Sequence, residues 1–253
     1  MTGKVVCQGC RDGQAVGFDF SMAFQPIVDT VAETVWGYEA LVRGTKGEPA
    51  GQILAQVDDT NRYAFDQACR VKAIELASAL FPAESACKLS INFMPNAVYE
   101  PSACIRATLA AARRSGFDPR RLMFEFTEDE RISDTAHLEN IIDAYKRLGF
   151  TTAIDDFGAG YAGLTLLAKF QPDLIKLDME LIRGIATSPA RQAIVASLAG
   201  LARQLDIQVI AEGVETEAEL TVLRSAGLRL FQGYLFARPS LERLPGLEFA
   251  LAA

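Results

Sequence analysis

The sequence has a single histidine, His137, which removes most imidazole chemistry from consideration. It lies in a helical stretch, TAHLENII, away from every strand-like run, and an imidazole metal site needs further nitrogen or sulfur ligands beside it. Cysteine is also scarce: five residues at 7, 10, 69, 87 and 104 form no disulfide framework, which fits a reducing compartment. Cys7 and Cys10 do form a C-x-x-C, read as two free thiols near a terminus, with a redox pair or a zinc site shared across a dimer as alternatives. Positive charge is in deficit. Against 32 acidic residues stand 25 Lys and Arg, so the net charge is −7. Long nucleic acid is therefore excluded as a partner, because phosphate-tracking surfaces need clustered cations. Apolar runs are short and interrupted by charge, which argues against membrane insertion. The opening MTGKVVCQGCRDGQ lacks the apolar core of a signal peptide, so a cytoplasmic location is expected.

What the chain does have is length for a full core and a regular alternation. Half of its 253 residues are apolar. Strand-like runs are SMAFQPIVD, TVWGYEALVR, KLSINF, RLMFEFTE, TTAIDDF, DLIKLD, QVIAEGV and LRLFQGY. Helical spacing appears between them in FDQACRVKAIELASAL, ACIRATLAAARRSG, TAHLENIIDAYKRLG and SPARQAIVASLAGLARQL. Gly116, Gly149 and Gly227 sit where helix C-caps are expected. Eight strands with intervening helices fit a (β/α)8 TIM-type barrel, with a doubly wound open sheet as the alternative. The first two strands are too close in sequence for a parallel crossover, so an antiparallel pair, and hence a modified barrel, is expected.

Polar residues recur at or beyond the middle of these strands: Glu39, Asn92, Glu125, Asp155 with Asp156, Lys176, Glu212 and Gln232. In a barrel the C-terminal strand ends converge on one mouth, where chemistry sits. Several ionised carboxylates so close together are destabilising without compensation, and protonation relieves one or two at most. Bound cations are the economical answer. With histidine and cysteine outside the constellation, oxygen ligands favour Mg²⁺ or Mn²⁺. The adjacent pair Asp155–Asp156 then reads as a bridge between two ions, a geometry suited to displacement at phosphorus.

These residues resemble the EAL family of cyclic-di-GMP phosphodiesterases. The resemblance runs through YEALVRG (38–44), SINFMP (90–95), FEFTEDE (124–130), AIDDFGAGYAGL (153–164), DLIKLD (173–178), VIAEGVET (209–216) and FQGYLFARP (231–239), in order over most of the chain. It implies a modified (β/α)8 barrel with one antiparallel strand, hydrolysis of cyclic di-GMP to linear pGpG, and a homodimer. Carried over by motif, Glu39, Asn92, Glu125 and Asp155 hold one metal, and Asp155 also bridges to a second completed by Asp156 and Glu212. Lys176 contacts the attacking water, Gln232 lines the site, Arg43 contacts substrate phosphate, and Glu128 anchors the DDFGAGY loop. Lys176 also fits a structural ion pair, and Glu128 an acidic helix N-terminus. Gln25 and Asp178 fit family positions as structural support or substrate contacts. Beside two metals, the ammonium form of Lys176 should be disfavoured. Calcium should inhibit, because its longer, higher-coordinate bonding spoils the two-metal geometry.

Where the family usually carries two serines, this chain has Ala162 and Gly163, which leaves loop coupling and dimer geometry open. The expected organisation is a short extension at 1–19 and a catalytic domain at 20–253, either standing alone or taken from a longer protein. Two other readings remain: a silent cyclic-di-GMP receptor or protein-interaction module on the same fold, and a different two-metal barrel hydrolase.

Overall fold

The structure, a computed structural model, describes residues 16–95, 98, 101–127, 135–160 and 163–247. Strands β1 (Ser21–Asp29) and β2 (Thr34–Arg43) form an antiparallel hairpin. Asp29 builds its turn: Oδ1 accepts from the amides of Val31 and Ala32, each at 3.0 Å, while Oδ2 accepts from Arg229 Nε at 3.0 Å. A carboxylate that captures the following amides is a standard way to close such a turn.

From β2 onward the strands run parallel: β3 (Lys88–Asn92), β4 (Leu122–Thr127), β5 (Thr151–Phe157), β6 (Leu174–Leu177), β7 (Gln208–Ala211) and β8 (Leu230–Phe231). Pairing of β8 with β1 closes the barrel, with β1 as the antiparallel member. A ninth strand, β9 (Ser240–Leu241), pairs with β1 at Ala23 and Phe24, above the point where β8 leaves it. The barrel, its hairpin and its antiparallel strand are therefore as the sequence predicts, and the open-sheet alternative falls.

Helices α1 (Ala50–Leu54), α2 (Arg62–Leu80), α3 (Pro101–Cys104), α4 (Arg106–Ser115), α5 (Thr135–Arg147), α6 (Gly163–Lys169), α7 (Met179–Ile182), α8 (Pro189–Gln204) and α9 (Glu217–Ser225) connect the strands. Gly116, Gly149 and Gly227 take φ of 71°, 83° and 89°, the left-handed turn that ends a helix at low cost for glycine. The run expected as one helix over 103–116 is two, α3 and α4, meeting at Ile105. Helical hydrogen bonds still cross the junction, from Ile105 to Pro101 and from Leu109 to Ile105. Among the described residues no helix is long and apolar enough to cross a membrane.

Strand periodicity sets the layers. Ile27, Met123, Ala153, Leu174, Ile210 and Leu230 form an apolar cluster inside the barrel, with Trp36 packed against it. Two residues nearer the mouth on the same staves stand Gln25, Glu125, Asp155, Lys176, Glu212 and Gln232. Side chains two apart share a face, so an oily floor carries a polar layer directly above it.

Candidate active site

Lys176 is the centre of that polar layer. Its Nζ lies 2.7 Å from Glu212 Oε1, 2.9 Å from Glu125 Oε2, 3.0 Å from Asp155 Oδ1 and 3.4 Å from Glu39 Oε2. Three strands, and the residue just past the end of β7, thus aim carboxylates at one buried ammonium. Glu39 is fixed on both oxygens: Asn92 Nδ2 donates to Oε1 at 2.9 Å, and Gln232 Nε2 donates to Oε2 at 2.7 Å. Gln232 Nε2 also reaches Gln25 Oε1 at 3.2 Å, and Gln25 Nε2 donates to the Ala237 carbonyl at 3.2 Å. The chain of amides orients Glu39 from behind.

Asp156 needs a separate explanation, because neighbours in a regular strand point to opposite faces. The β5–β6 register is broken between Ile154 and Phe157, and Asp156 takes a φ of 52°. Aspartate tolerates this left-handed conformation better than most residues. The irregularity turns Asp156 into the same cavity as Asp155, where both join Glu212.

The charge balance is unequal: among the described residues Lys176 pairs with four carboxylates, and Asp156 adds a fifth beside them. Burial, with repulsion from Glu39 and Asp155 and against the pull of Lys176, pushes Glu125 up to about 8. Burial also drives Glu212 well above the usual carboxylate range. Burial and the adjacent Asp155 push Asp156 up to about 6. For Lys176, burial opposes the charged form, but Asp155, Glu125, Glu212 and Glu39 outweigh it and hold the ammonium firmly protonated. Among the protein's own groups the lysine thus shifts opposite to the direction expected beside two cations.

The donor set fits hard divalent ions. Two groups of carboxylates, Glu39–Glu125–Asp155 and Asp155–Asp156–Glu212, each present ligand atoms within 4.8 Å of one another, and Asp155 belongs to both. Among the described residues, none hydrogen-bonds the buried Glu125 Oε1, so a strong acceptor stands ready in a site made of oxygens. Such a set suits Mg²⁺ or Mn²⁺ rather than zinc or copper.

The structure therefore brings together Gln25, Glu39, Asn92, Glu125, Asp155, Asp156, Lys176, Glu212 and Gln232. Arg43 stands apart. It lines a neighbouring, mainly apolar cavity of about 350 Å³, and its Nη1 donates to the carbonyl of Val42 at 2.7 Å. Asp178 caps α7, its Oδ1 accepting from the Glu180 amide at 2.7 Å. Glu128, Ala162 and the Cys7–Cys10 pair lie outside the described residues. The acidic cavity, about 250 Å³, is also lined by Met179, Arg183, Gly213, Glu215 and Tyr234, which the sequence reading gave no role. Gly213 and Glu215 fall within VIAEGVET, and Tyr234 within FQGYLFARP. Arg183, just after α7, carries no local sequence signal.

The EAL domain pattern matches residues 14–239. The chain belongs to the EAL family. This EAL domain is 51% identical to a standalone versatile EAL protein from Vibrio cholerae O395, whose structure was solved in a c-di-GMP bound form. The TM-score is 0.90, and the match covers 94% of this chain and 100% of that one. It is 40% identical to Klebsiella pneumoniae BlrP1 in its manganese/cy-diGMP complex at pH 6, with a TM-score of 0.83 over 91% of this chain and 58% of that one. A calcium/cy-diGMP complex of BlrP1 gives 38% and 0.85, over 92% and 59%. Two curated relatives are the Escherichia coli K12 blue light- and temperature-regulated antirepressor BluF, 36% identical over 227 residues, and the Pseudomonas aeruginosa cyclic di-GMP phosphodiesterase PA2567, 32% identical over 239 residues. Each match covers 90% of this chain but 56% of BluF and 40% of PA2567, so the EAL domain spans about half the length of these curated relatives.

Proposed function

We propose that this EAL domain hydrolyses cyclic di-GMP to linear pGpG with two Mg²⁺ or Mn²⁺ ions, held by Glu39, Asn92, Glu125, Asp155, Asp156 and Glu212. The observation that carries the reading is Asp155: it is common to two carboxylate groups gathered around one buried lysine. Family membership and similarity to a named cyclic di-GMP phosphodiesterase support a phosphodiesterase activity. Structures of relatives with c-di-GMP, one of them with manganese, support the substrate and the metal.

When bound, two such ions would polarise the phosphate and acidify the attacking water. The chain supplies the rest. Lys176, protonated and immobile among its carboxylates, donates to the attacking oxygen and holds it in line with phosphorus. Water's oxygen forms the new bond to phosphorus, the bond to one ribose 3′ oxygen breaks, and the proton that water gives up is balanced by the one the 3′ oxygen gains. The product keeps a 5′ phosphate and a free 3′ hydroxyl, so the ring opens without loss of atoms. Gln232 and Gln25 keep Glu39 from turning away. Arg43, released from the Val42 carbonyl, grips a phosphate through its two-pronged guanidinium. Glu128 anchors the DDFGAGY loop. The protein works in the cytoplasm as a homodimer.

Chromatography of products after incubation with cyclic di-GMP and Mg²⁺ or Mn²⁺ tests the reading. Prompt pGpG formation, abolished by Glu39→Ala, is expected. A second reading, a regulator that binds the nucleotide without turnover, is favoured by the similarity to BluF, which is named an antirepressor. Tight binding with no pGpG would establish that reading instead.

A further inference from the structure

Arg70 heads the largest wholly buried side chains among the described residues, and it sits outside the acidic cavity. It pairs with the equally buried Asp66 one turn earlier on α2. Both point at the end of β3 and the middle of β4. The Asp66 carboxylate accepts the Met94 amide at 3.0 Å, two residues past Asn92. The Arg70 guanidinium lies 5.7 Å from the ring centres of both Phe93 and Phe124, and its Nη1 donates to the Tyr145 hydroxyl at 3.1 Å. Phe93 follows Asn92 and Phe124 precedes Glu125. Asn92 and Glu125 are register partners across β3 and β4, and the Phe93 amide donates to the Glu125 carbonyl at 2.9 Å.

One buried pair therefore grips the residues next to two proposed ligands on adjacent strands. Such a pair adds little net stability, because the cost of removing both charges from water offsets their attraction. What it can supply is direction: a guanidinium packed against two touching rings, with its carboxylate tied to a strand-end amide, permits one arrangement of that strand end. Hydrogen-bonding and packing partners behind the ligands commonly set metal affinity.

We infer that Asp66 and Arg70 are positioning residues that aim Asn92 and Glu125 at the metal site, without touching metal or substrate. This rests on the reading of those two residues as ligands. The test replaces the pair by Asp66→Leu with Arg70→Met and measures Mn²⁺ binding by calorimetry and by the electron paramagnetic resonance of free Mn²⁺. The double variant should unfold cooperatively near the parent's melting temperature, yet its Mn²⁺ dissociation constant should rise about tenfold or more. Adding Asn92→Ala should then weaken binding no further, since residues acting through one another are not additive. Parental Mn²⁺ affinity in the folded double variant overturns the inference, as does a full, independent penalty from Asn92→Ala. Should the double variant not fold, Asp66→Asn keeps shape and an acceptor for Met94 but loses the charge. A severalfold rise in the Mn²⁺ dissociation constant is expected there, and unchanged affinity overturns the inference. In the parent, Asn92→Ala that leaves Mn²⁺ affinity intact removes the ligand reading itself, and with it this inference. A parental loss that the pair variant fails to mimic removes the inference alone.

Discussion

Asp155 and Asp156 are adjacent in sequence yet open into one cavity, because Asp156 adopts a φ of 52° at a break in the β5–β6 register. Two like charges on a regular strand would diverge to opposite faces. Here the backbone accepts a conformation costing of order 1–3 kcal/mol to bring them together.

Asp156→Asn isolates charge from shape, since asparagine tolerates the same backbone conformation. Relief of repulsion with Asp155 should leave stability in chelator unchanged or higher by up to ~1 kcal/mol. Metal stoichiometry, followed by calorimetry, should fall towards one ion per chain. Two ions bound at parental affinity would remove Asp156 from the site.

Lys176→Met should remove more than a catalytic contact. Four carboxylates that share one ammonium would face each other, and breaking a buried pair this way costs about 3–5 kcal/mol. Melting temperature in chelator should drop, and Mn²⁺ should restore most of it. Turnover with metal present should fall by ~10²-fold or more. A variant that turns over at the parental rate would refute the role given to this lysine.

Calcium should bind the acidic cluster and block turnover. Its bonds run about 2.3–2.6 Å with six to eight ligands, against 2.0–2.1 Å and six for Mg²⁺. Titrating Ca²⁺ into a Mg²⁺-supported reaction should suppress pGpG formation, with rescue by excess Mg²⁺. Full activity in Ca²⁺ alone would contradict the two-metal geometry proposed above.

Glu219 ties together the loops that follow β6 and β7. Burial pushes its carboxyl up, but the amides of Gly184 at 3.0 Å and of Glu215 and Thr216 at 3.1 Å outweigh burial and hold it below the usual range. The Thr216 hydroxyl completes a capping box on α9 by accepting the Glu219 amide. Because the folded carboxyl is the more acidic, its stabilisation is complete above the unfolded value of about 4.3 and disappears as pH falls through the folded one. Glu219→Gln should therefore cost stability at pH 7, by about 0.5–2 kcal/mol as for other cap losses. The gap to the parent should close in chemical unfolding below pH ~4. A gap that persists at pH 3 would mean that the charge contributes nothing.

Local pattern carried much of the architecture. β1, β2 and β5 occupy the runs read as apolar and β-rich, and the three capping glycines have the backbone their position demands. The polar layer was also legible, because a side chain two places past an apolar floor residue must share its face. The ends of β7 and β8 were not. Their runs continue to Val214 and Tyr234, but pairing stops at Ala211 and Phe231, since a strand ends where its neighbour leaves and not where its own β propensity does. β9 escaped notice for the same reason: two residues hold a strand only because β1 offers them an open edge there.

By itself, the order of residues along the chain determined the eight-stave alternation, the hairpin that reverses the first stave, and which side chains bear charge at the mouth. These follow from periodicity and connection length, which are properties of neighbours in sequence. Tertiary structure alone decided that Lys176 meets four carboxylates at once, that Arg43 turns to the next cavity, and that Asp66 and Arg70 reach β3 and β4 from behind. Those outcomes depend on distances between segments far apart in the chain, and such distances exist only after the barrel has closed.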